Sequence, residues 1–141
     1  MENRTQRLVL FCRLALAVVF IYAAIGKITH PGEFAEAVAA FKLLPIVLVN
    51  VFAIILPWIE LASGLALLHR VSARHGALLI AGLNLIFMIA AASALARGLD
   101  IRCGCFTLSH AHTKLGWSLI ARDAAFLALC LPILLHHTRA K

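Results

Sequence analysis

Charge is scarce in this sequence. Asp, Glu, Lys and Arg make up 13% of its 141 residues and hydrophobic residues 63%, against about 25% and about 45–50% in an ordinary soluble domain. So little charge argues against water as the main solvent. The 6 acidic residues leave a formal net charge of +7, yet no basic stripe of the kind that tracks nucleic acid is present. Most basic residues sit instead at the ends of apolar segments, where they flank lipid, and nucleic-acid binding is not expected. Internal repeats and low-complexity tracts are also missing, and no stretch between apolar segments is long enough to bury a core of its own. A single domain over residues 1–141 is expected.

What the sequence does contain is four apolar stretches, Leu8 to Ile25, Ile46 to Leu68, Ala77 to Ala96 and Trp117 to Leu135. Each is close to the roughly 20 residues that a spanning helix requires. The expected fold is all-α, an integral membrane bundle of four transmembrane helices. The first stretch is too long for the apolar core of a secretory signal and is read as a retained span. Between the first two spans, His30-Pro31-Gly32 signals a turn, and Phe34, Val38 and Phe41 then recur at helical spacing. That pattern predicts a short amphipathic helix lying on the bilayer surface. Four spans put both termini on one side. The tails and the second connection carry Arg4, Arg7, Arg70, Arg74, Arg139 and Lys141, against Lys27, Lys42, Arg97, Arg102 and Lys114 on the other side. This small excess, with the cysteine motif below, places the termini in the cytoplasm and the cysteine loop outside the bacterial inner membrane.

Arg13, Glu60, Arg122 and Asp123 fall inside the expected spans. Each would cost ~2.5–3.5 kcal/mol at the bilayer centre, so all four are expected to face inward or toward water. Helical rise puts Arg13 roughly 8 Å and Glu60 roughly 12 Å above the same membrane face. They are therefore the expected ion pair, with Asp123 as competing partner. Lys27 shares a helix face with Arg13, because fourteen residues at 100° return to within about 40°. These charges either lock the order of the helices or form a buried polar site for a proton or a quinone head group. Lys27 is either part of that face at its outer mouth or an ordinary snorkelling lysine.

The most informative segment is Arg97-Gly98-Leu99-Asp100-Ile101-Arg102-Cys103-Gly104-Cys105-Phe106. Cys103 and Cys105 can bridge across Gly104, and so small a ring is strained. A strained, exposed disulfide exchanges readily, and Arg97, Arg102, Lys27 and Arg122 are candidates for positive charge that favours thiolate. A metal site is the rival, because His110 and His112 follow closely and Cys-x-Cys with His-x-His supplies four ligands for zinc or copper. Inert loop cysteines are the third reading. Cys12 and Cys130, near the cytoplasmic ends of their spans, read as small apolar fillers.

In their order and spacing, Arg13, Gly26-Lys27, His30-Pro31, Leu44-Pro45, Glu60-Leu61-Ala62-Ser63-Gly64, the Arg97 to Phe106 segment, Trp117 and Arg122-Asp123 resemble the MauE family of methylamine utilisation, within the wider DoxX-like four-helix membrane proteins. The resemblance covers nearly the whole chain. It implies a membrane component of disulfide formation or electron transfer that works beside a thioredoxin-like partner, some DoxX-like relatives being linked to quinone reduction. It bears on Cys103 and Cys105 more than on the buried charges. The chain departs from the pattern at Thr107, where glycine is usual, and at His110 and His112. The expected function is thiol–disulfide redox chemistry with quinone as a candidate acceptor. The alternative is a non-enzymatic scaffold or a zinc- or copper-binding subunit using Cys103, Cys105, His110 and His112.

Overall fold

The computed structural model describes residues 2–99 and 117–139, and all regular structure among them is helical. The elements are α1 (Glu2–Thr29), α2 (Pro31–Ala40), α3 (Ile46–Leu68), α4 (Ala73–Ala96) and α5 (Trp117–Arg139). Three of them, at Asn3–Thr29, Ile46–Leu68 and Ala73–Ala96, are long and apolar enough to cross a membrane. The chain is thus an integral membrane protein. Helix α5 covers the residues of the expected fourth span.

Three of the helix boundaries have a local reason. His30 leaves helical geometry at φ −128°, and Pro31 opens α2, where its missing N–H would have had no partner anyway. Pro45 is extended before α3. Helix α4 stops at Gly98, whose φ of +67° is open to glycine at little cost. The Gly98 and Leu99 amides then donate to the carbonyls of Leu95 and Ala94, a Schellman ending that satisfies groups every helix terminus leaves unpaired.

Helix α1 packs on α3 and α5, and α4 packs on the same two, while α2 lies against α3. The main core, around Leu16, Phe20, Leu67, Ile80, Cys130 and Ile133, draws on all four long helices. Outside, Phe11 is 68% exposed, Ile46 74% and Ile86 63%, as expected where the surroundings are as apolar as the interior. Small residues bring the helices close. A Cβ on Gly64 would lie 2.8 Å from Ile21 of α1, and one on Gly76 would lie 2.7 Å from the Ser63 carbonyl oxygen of α3.

The amphipathic helix forms where expected, but its apolar face is turned on the protein. Phe34 is buried with Ala53 and Leu56 of α3, and Phe41, just beyond α2, is buried with Ala91 and Ala94 of α4. Two aromatic rings packed in protein are not available to hold that face in lipid.

Candidate functional site

Near the end of α1 the chain turns at His30 and folds α2 back over the bundle, which carries Phe34 above Lys27. Lys27 Nζ donates to both carboxylate oxygens of Glu60, each at 2.8 Å. It also lies 4.9 Å from the Phe34 ring centroid and 5.8 Å from that of Phe87. Lys27 is 7% exposed and Glu60 3%, so both charges have lost nearly all their water. Each is compensated by the other, and the ring faces add cation–π attraction to the ammonium.

The expected Arg13–Glu60 pair is not formed. Arg13 donates Nε to the Leu67 carbonyl at 3.0 Å, and Nη2 to those of Leu67 at 2.9 Å and Leu68 at 3.2 Å. It thereby closes the end of α3, whose last carbonyls lack partners within the helix. Nor does Asp123 serve as the competing partner, because its Oδ1 accepts from Nε and Nη2 of the adjacent Arg122 at 3.2 and 3.1 Å. The shared face of Arg13 and Lys27 is real, since both reach α3. Arg13 meets backbone there and Lys27 meets the carboxylate, so Lys27 is an inward-facing buried cation and not a snorkelling one. Glu60 and Asp123 are buried, while Arg13 and Arg122 are partly so.

Sequence reasoning overlooked Asn84, which is 5% exposed and whose Nδ2 has no hydrogen-bond partner among the described residues. It lies one helical turn from Phe87 on α4. A lone carboxamide within an otherwise apolar span was the available signal.

Cys103, Cys105, Arg102, His110 and His112 lie outside the described residues. Their flanks are well anchored. Arg97 Nη2 donates to the Phe41 carbonyl at 2.6 Å, and Leu99 and Ile120 both pack on the Phe41, Ala91 and Ala94 cluster. The chain therefore leaves α4 and returns into α5 against the same cluster. Arg97-Gly98-Leu99 accordingly has a structural task of its own, the ending of α4. Lys27 and Arg122, expected to add positive charge around the cysteines, are each engaged by a carboxylate. Cys12 and Cys130 are free, buried thiols within the main core, as fillers would be. Among the described residues no three of His, Cys, Asp and Glu gather into a metal-binding group.

The chain matches the family described as "Methylamine utilisation protein MauE" over residues 5–136. It is 39% identical over 115 residues to the methylamine utilization protein MauE of Methylorubrum extorquens, covering 81% of this chain and 61% of that protein. The MauE proteins of Paracoccus denitrificans and Methylophilus methylotrophus are 35% and 36% identical, each over 86% of this chain and 65% of the relative. The chain thus spans less than two thirds of the length of these relatives. No solved structure matches it. With the match running over residues 5–136, the chain belongs to the MauE family.

Proposed function

We propose that this protein is a membrane component of thiol–disulfide exchange in which Cys103 and Cys105 form the exchanging pair. The setting is methylamine utilisation, the process named in its relatives, and the partner is a thioredoxin-like protein. Helix α5 is the fourth span, giving a DoxX-like bundle in the bacterial inner membrane with cytoplasmic termini. The cysteine pair then stands outside, in an oxidising compartment.

The observation that carries this reading is the Cys103-Gly104-Cys105 sequence between two helices whose adjoining ends share one cluster. In the exchange, a thiolate of one cysteine attacks a partner disulfide and displaces one partner sulfur as thiolate. The second cysteine then attacks the resulting mixed disulfide and releases the other. The partner gains two electrons and Cys103–Cys105 becomes the disulfide, and the reverse sequence oxidises the partner. A quinone is the candidate acceptor for electrons leaving the cysteines. Support for a carbonyl-bearing ligand comes from the buried Asn84 Nδ2, a donor without a described acceptor. His110 and His112, following the cysteine pair, favour the second reading, a zinc or copper site made by all four residues.

Replacing Cys105 by Ser removes the resolving thiol, so Cys103 is expected to hold its partner as a covalent adduct on non-reducing gels. Elemental analysis of the same preparation tests the metal reading. Bound metal near one per chain, lost in the His110→Ala/His112→Ala protein, with reduced cysteines and no adduct, would overturn the redox assignment.

A further inference from the structure

At the end of the bundle where Arg13 closes α3, the start of α1, the α3–α4 turn and the last described part of α5 enclose an open cleft of about 790 Å³. That volume is in the range of ligand sites, about 300–1,000 Å³. Its charge is of one sign. Arg7, Arg13, Arg70, Arg74 and His136 line it, and no carboxylate does. Among the described residues, Arg7, Arg70 and Arg74 form no salt bridge. Arg13 is held in place by the Leu67 and Leu68 carbonyls. Four guanidinium groups, two from α1, one from the α3–α4 turn and one from the first turn of α4, thus converge where no described anion answers them. Planar, always charged and rich in donors, guanidinium is suited to phosphate oxygens.

The rest of the lining says which kind of phosphate. Leu10, Leu68 and Val71 also face the cleft and are 50%, 49% and 73% exposed. Free phosphate has no use for them. A phospholipid does, because its glycerol and first acyl carbons adjoin the head group. The position agrees, since the apolar length of α1 begins at Leu8, directly after Arg7, and Leu10 lies one turn beyond Arg7, at the level where hydrocarbon gives way to head groups. Asn3 and Gln6, on the same lining, add groups able to meet head-group hydroxyls.

We propose that this cleft is a binding site for the phosphodiester head group of an anionic phospholipid. The site is independent of the cysteine chemistry and of the direction in which the chain crosses the membrane.

The test is native mass spectrometry of the full chain in detergent, titrated with phosphatidylglycerol or with phosphatidylcholine of the same acyl chains. Phosphatidylglycerol should bind about tenfold more tightly, and the preference should shrink as salt is raised. Loss of one arginine should weaken binding about fivefold, and Arg70→Gln/Arg74→Gln about twenty-fivefold, whereas Arg70→Lys/Arg74→Lys should retain most of it. If the double glutamine protein fails to fold, Arg7→Gln, on the exposed first turns of α1, reads the same fivefold loss. Equal affinity for the two lipids, or unchanged binding in the glutamine variants, overturns the proposal. Inorganic phosphate is the competing arm. If it displaces phosphatidylglycerol at comparable concentration, the site takes free phosphate and the lipid assignment fails.

Discussion

An ammonium and a carboxylate brought together inside an apolar bundle are tolerable only while both are present. Lys27 and Glu60 meet at 2.8 Å with almost no exposure, so removing either charge strands the other, a loss of about 3–5 kcal/mol in buried pairs. Glu60→Gln should therefore lower stability sharply, and adding Lys27→Gln should recover a large part of the loss. Arg13→Gln added to Glu60→Gln should recover nothing, because Arg13 serves the carbonyls of Leu67 and Leu68. A double-mutant cycle on detergent-solubilised protein measures both couplings. Recovery with Arg13→Gln, and none with Lys27→Gln, would contradict the observed pairing.

Between elements, the bundle depends on glycine at a small number of contacts. Gly76 of α4 sits so close to α3 that a Cβ would meet the Ser63 carbonyl oxygen at 2.7 Å, the Ala66 Cβ at 3.1 Å and the Leu67 nitrogen at 3.2 Å. Backbone cannot step aside as a side-chain tip can. Gly76→Ala should therefore destabilise by about 1–3 kcal/mol through overpacking. Gly82, on the same helix, has nothing within 4 Å of a Cβ, and Gly82→Ala should be neutral or gain up to about 1 kcal/mol from the better helix former. Thermal unfolding of the two variants side by side measures the difference, and equal midpoints would show that α3 and α4 do not approach this closely.

At the scale of the whole molecule, the proposed orientation predicts a labelling pattern. An impermeant maleimide added to intact cells should modify reduced Cys103 or Cys105, while Cys12 and Cys130, 2% and 1% exposed, stay unmodified. Labelling of the loop cysteines only after the membrane is opened would reverse the orientation. Much of the architecture is legible in the sequence. The second span was expected at 46–68, and α3 occupies Ile46–Leu68. Helices α1 and α4 begin earlier than their apolar stretches, at Glu2 and Ala73. The reason is that hydropathy marks the length suited to lipid, whereas helical hydrogen bonding continues through polar residues beyond it.

Local chemistry along the chain was sufficient to establish the solvent, the helical class, the turn at His30-Pro31 and the demand that Glu60 and Asp123 be compensated. A carboxylate in hydrocarbon requires a partner wherever it lies. Which partner it finds depends on the rotation and depth of two helices relative to one another, which no count along one chain contains. Arg13 and Lys27 share a face of α1, and depth counted along each helix favoured Arg13 as the partner of Glu60. The packing of α1 on α3 put Arg13 at the open carbonyls of Leu67 and Leu68 and Lys27 at Glu60, with Phe34 of α2 beside it. Tertiary structure likewise turned the apolar face of α2 from lipid to protein, because Phe34 found a buried place against Ala53 and Leu56. It also gathered Arg7, Arg70 and Arg74 around one cleft, although they lie up to sixty-seven positions apart in the sequence.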